Sequence, residues 1–101
     1  MNKNNKTANT NKNMYKAILE LHDIDEVEDF LNDICSMSEL RSMEQRYNVA
    51  EMLYQDKVYT EIIKETGASS ATVSRVKRVL FYGTGALKSA IERILGVQEE
   101  A

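Results

Sequence analysis

Two arginines and three hydroxyls, gathered in one short stretch, carry the most concentrated recognition chemistry in this chain. Arg75 and Arg78 stand about one helical turn apart, and Ser69, Ser70 and Thr72 lie just before them. A guanidinium offers a planar fork of donors that can engage guanine O6 and N7 together or grip a phosphate. Hydroxyls at a helix N-terminus sit beside free amides and the positive end of the helix dipole, where phosphate is attracted. The chemistry on offer is therefore recognition of nucleic acid. No catalytic set accompanies it. His22 is the only histidine and Cys35 the only cysteine, so a Ser-His-acid or Cys-His arrangement depends on His22 alone and no zinc site can be assembled within one chain. There is no glycine-rich phosphate loop. The acidic run from Asp23 to Asp29 lacks the glycine turn and ligand spacing of a calcium site and fits a solvated helix N-terminus. Neither an enzyme nor a metal site is expected.

The elements that position these residues are predicted as two short helices, 59–66 and 70–81, hinged at Gly67. Glycine takes the left-handed conformation that ends one helix and redirects the chain, and Ser69 or Ser70 then caps the next. Val73, Val76 and Leu80 fall along one side of the second helix. At about 100° per residue, Ala71, Ser74, Arg75 and Arg78 fall on the other. With Ile62 and Ile63 before the turn and Ala68 small enough to fit within it, this is the layout of a helix-turn-helix. Arg75, Lys77 and Arg78 crowd three cations together with no acid between Glu65 and Glu92, although the chain carries a net charge of −3.

The segment TGASSATVSRVKRVL, preceded by YTEI, resembles the helix-turn-helix of the Trp repressor-like superfamily, in particular its TrpR-related YerC/YecD-type subgroup. The resemblance covers roughly Ile24 to Leu95. Upstream, SMSELRSMEQRYNVAEML is similar to the family's long central helix, with Ser36 and Glu39 as capping residues and Arg46 at the position of a pattern arginine. The resemblance implies an all-helical, intertwined homodimer that reads a two-fold operator in double-stranded DNA. It places Ala68, Ser70, Ala71, Thr72, Ser74 and Arg75 at the DNA. Arg46 and Arg75 match the two arginines that flank the indole ring in the tryptophan-responsive repressor, which makes them candidates for holding a small-molecule effector. Val76 and Val79 replace a glycine and a small polar residue of that repressor. Their side chains project into the space an indole needs, so tryptophan is not expected as corepressor and no other cofactor is implied.

Composition agrees with an all-α fold of about six helices. Apolar residues make up 43 % of the 101, with no proline and four glycines, which favours uninterrupted helices. Residues 1–13 are Asn- and Lys-rich and predicted to be a disordered tail, with one helix-turn-helix domain over 14–101. Helices are expected near 14–22, 25–35, 38–56, 59–66, 70–81 and 84–95, the last ended by Gly96. The third carries Leu40, Met43, Tyr47, Ala50, Leu53 and Tyr54 on one stripe with Val49 and Met52 beside it. Together with the apolar flanks of the first two helices, this exceeds what a chain of this size can cover, which predicts a homodimer. Leu87, Ala90, Ile91 and Ile94 are expected on the inner stripe of the last helix. Phe81 and Tyr82 are expected beneath the reading head, and Cys35 as a small buried hydrophobe. One cysteine excludes an intrachain disulfide and fits a reducing cytoplasm, and no apolar run spans a membrane.

The functional expectation is a DNA-binding transcriptional regulator, a dimeric repressor reading a near-palindromic operator. Arg75 and Ser74 would touch base edges, while Ser69, Ser70, Thr72 and Arg78 fix the phosphate register. The acidic overall charge motivates a rival from another class, a protein-protein interaction module of adaptor or antitoxin type that docks a protein through the same corner.

Overall fold

The protein's structure, a computed structural model, describes residues 11–100. The fold is all-α. Six helices follow one another: α1 (Asn13–Leu19), α2 (Ile24–Ile34), α3 (Met37–Tyr54), α4 (Tyr59–Thr66), α5 (Ser70–Tyr82) and α6 (Ala86–Glu100), with no strand among the described residues. The backbone divides into two compact units, with the boundary between Met37 and Ser38. The predicted tail falls mostly outside the described residues. Of its end, Asn13 already opens α1 and donates its N–H to Asn11 Oδ1 at 2.8 Å.

In the first unit α1 stops at Leu19, short of the expected His22. Asp23 is the cap of α2, accepting from the Glu26 N–H at 2.9 Å, and Glu26 in return accepts the His22 N–H at 2.8 Å. This reciprocal exchange takes His22 out of any helix and starts the next one. No residue of α1 or α2 is fully buried. Cys35, expected to be buried, is half-buried because it stands at the extended C-cap of α2 and not on its apolar face.

The second unit holds the core. Val49, Ala50 and Leu53 of α3 meet Ile62 of α4, Ala68 of the turn, Val73, Val76 and Leu80 of α5 and Ile91 of α6. Burying each larger aliphatic side chain stabilises by about 1.5–3 kcal/mol. The α3 helix ends at Tyr54, two residues before the expected limit, because Asp56 adopts a left-handed φ of 67°. The Asp56 N–H then reaches the Leu53 carbonyl and the Lys57 N–H the Met52 carbonyl, both at 3.0 Å, a Schellman closure built on aspartate in place of glycine. Gly96 does not end α6, which continues to Glu100. Glycine inside a helix costs only about 1 kcal/mol relative to alanine and need not break it. Ile91 with half-buried Leu87 and Leu95 faces the core, four residues apart, so Ala90 and Ile94 turn outward against expectation. Tyr54 Oη donates to Glu92 Oε2 at 3.3 Å and joins α3 to α6.

Candidate nucleic-acid interface

The corner between α4 and α5 is built as its residue types dictate. Gly67 closes α4 with φ 74° and gives its N–H to the Ile63 carbonyl at 2.9 Å. A side chain there would be strained by the backbone itself, since a Cβ would find nothing nearer than Gln45 Nε2 at 3.9 Å. Thr66 Oγ1 donates to the Ile62 carbonyl at 2.7 Å and accepts the Ala68 N–H at 3.1 Å, which bonds the turn across its bend. Ser69, not Ser70, is the cap of α5: its Oγ accepts the Thr72 N–H and donates to Thr72 Oγ1, both at 3.1 Å. At the far end Gly83 is required by close approach, because a Cβ would stand 2.5 Å from the Val79 carbonyl oxygen.

This architecture sorts the predicted site residues. Ser70, Ala71, Ser74, Arg75 and Arg78 are exposed along the outer side of α5, while Val73, Val76 and Leu80 are buried beneath it. Neither guanidinium has a carboxylate partner among the described residues. Ala68 differs from these exposed residues: it is 2 % exposed and its N–H is taken by Thr66, so its side chain packs in the core. Ser69 is exposed and Thr72 half-buried, and both hydroxyls are already engaged with each other in the cap. Lys77 leaves the cationic cluster and sits over the Tyr59 ring, its Nζ 5.7 Å from the centroid, fastening α5 to α4. Phe81 and Tyr82 are not packed beneath the reading head either. Tyr82 is 85 % exposed and Phe81 stands in the open beside it, while Leu80 in the same turn takes the buried side.

Arg46 and Arg75 do come together. They line a pocket of about 500 Å³ with Met43, Tyr47, Val76, Val79 and Leu87. The floor and walls are apolar and two cations stand at it, a lining suited to a small molecule with an apolar body and an anionic group. Val76 and Val79 form part of the wall. Tyr47 Oη donates to Glu51 Oε2 at 3.0 Å. Burial first, then that hydrogen bond and the Glu51 charge, push the Tyr47 phenol above its ordinary range, so it stays protonated. Met43, Tyr47 and Leu87 were legible only as apolar positions on helical stripes. Their convergence with Arg46 and Arg75 depends on how α3, α5 and α6 meet, which no local pattern reveals. No group of side chains suited to holding a metal ion occurs among the described residues.

The Trp repressor protein family model matches residues 9–95 of this chain. The protein YerC of Bacillus subtilis (strain 168) is 42 % identical over 88 residues, covering 87 % of this chain and 85 % of YerC. Among solved structures, a TrpR-like protein from Eubacterium eligens ATCC 27750 superposes with a TM-score of 0.79 at 43 % identity, covering 82 % of this chain and 86 % of that one. A second, from Staphylococcus aureus, gives a TM-score of 0.78 at 40 % identity over 82 % of this chain and 83 % of its own.

Proposed function

The chain belongs to the Trp repressor protein family, whose members are transcription regulators and not enzymes, and on that premise we propose that it is a sequence-specific DNA-binding repressor. In this reading a cytoplasmic homodimer presents two copies of α5 to successive major grooves, about 34–36 Å apart, and occludes a near-palindromic operator. The observation that carries the proposal is the outer side of α5. Ser70, Ala71, Ser74, Arg75 and Arg78 are exposed together on a helix whose underside is locked into the core. Small residues at the N-terminal end let the helix approach base edges closely. Arg75 and Ser74 then read them while Ser70 and Arg78 hold phosphates, with Ser69 and Thr72 contributing through the cap that orients them.

The exposed apolar side chains of the first unit support the homodimer. Leu19 is 83 % and Ile24 76 % exposed, and apolar flanks of this kind are ordinarily paired across a two-fold axis. The pocket at Arg46 and Arg75 is the candidate seat of an effector, and Val76 and Val79 in its wall argue against an indole there. Selection of bound duplexes from a random library tests the function directly, with a two-fold consensus expected. Recovery of no consensus, with binding that persists at about 0.2 M salt, would favour a protein-docking module instead, since phosphate contacts make DNA binding steeply salt-dependent.

A further inference from the structure

Gln45 ties α3 to the turn of the reading head through a side-chain hydrogen bond. Its Nε2 donates to the Thr66 carbonyl at 3.1 Å, partly buried and 21 residues away in sequence. That carbonyl ends α4, where helical carbonyls lack intrahelical donors, and an oxygen that can only accept requires the amide nitrogen to face it. On the other side of the same residue, Thr66 Oγ1 bridges the Ile62 carbonyl and the Ala68 N–H. These two bonds brace the corner across its own bend but do not by themselves set its tilt against α3. The core under it consists of Val, Ile, Leu and Ala side chains, whose packing is attractive but non-directional. A hydrogen bond has a preferred direction. Gln45 supplies it, one residue before Arg46 of the pocket.

We propose that Gln45 is a positioning residue that fixes the tilt of α4 and α5 against α3 and, through it, the separation of the two recognition helices in the dimer. This rests on the dimeric DNA-reading function proposed above. The test uses the full-length chain and a symmetric duplex from the selection, with the distance between half-sites lengthened or shortened by a base pair. Gln45→Met keeps the length of the side chain and removes the donor. Gln45→Lys restores a donor, with a charge suited to the C-terminal end of a helix.

The unaltered protein is expected to prefer one spacing. Q45M should lose about 2- to 30-fold affinity at that spacing while keeping its affinity for an isolated half-site, which flattens the spacing optimum, and Q45K should restore it. A Q45M profile identical to that of the parent overturns the proposal. So does an equal loss at every spacing and at the isolated half-site, with Q45K no better, because that marks Gln45 as a stabilising residue only. Should Q45M fail to fold, Gln45→Glu, the same shape with the donor exchanged for an acceptor, is judged by the same criteria. A parent that selects no duplex sinks the function and this inference together. A selective parent with indifferent Gln45 variants sinks the inference alone.

Discussion

Arg75 belongs to two candidate sites at once, since it is exposed on the outer side of α5 and also lines the pocket with Arg46. Its loss should therefore be specific in kind. In Arg75→Ala the affinity for operator is expected to fall by about 1–3 kcal/mol while affinity for random duplex changes little. Arg78→Ala should weaken all sequences alike and reduce the salt slope by about one. Titrations of both variants on operator and random DNA, at several salt concentrations, measure these outcomes. Neither change should alter folding stability by more than about 0.5 kcal/mol, because both side chains are exposed. Tyr47 makes a different prediction. Its phenol is raised by burial, by the hydrogen bond to Glu51 and by that carboxylate's charge. A group raised in the folded state contributes stability that is complete below its unfolded value, about pH 10, and lost as pH climbs through the folded one. Urea midpoints measured through that alkaline range should drop more steeply for the parent than for Tyr47→Phe.

Among the helices, α5 was the most legible. Its apolar residues repeat at helical spacing, a serine precedes it and a glycine precedes that, so its limits and its two sides follow from local chemistry. The end of α3 was hidden because an aspartate, Asp56, takes the left-handed turn that glycine ordinarily announces. The small size of Ala68 is legible as a need of the turn, whereas its burial depends on the side chains of α3, α5 and α6 that gather against the corner. The pocket was legible as a pair of arginines through family resemblance, but not as a cavity, since its lining is drawn from three helices. Gly96 carries the local signature of a helix stop, yet α6 runs through it. That residue is helical and a Cβ on it would meet nothing within 4 Å. Gly96→Ala is accordingly expected to stabilise by about 0.5–1 kcal/mol, raising the melting temperature by roughly 2–8 °C for a domain of this size.

At the level of the whole molecule, no described residue of the first unit is fully buried, and its large apolar residues Leu19, Ile24 and Ile34 are more than half exposed. If a second copy covers them, association and folding are linked, and the melting temperature should rise with protein concentration. Ile24→Glu, at a position 76 % exposed in the single chain, should abolish that dependence and lower the melting temperature. A melting point indifferent to dilution would mean that the unaltered chain stands alone. The corner is braced by bonds within the chain, with Ser69 capping α5, Thr66 bridging the bend and Gly67 turned, so the surface proposed to meet DNA is expected to be formed before any encounter. Association then carries no cost of folding a segment, and its heat-capacity change should be no larger than the apolar area the two surfaces hide from water requires.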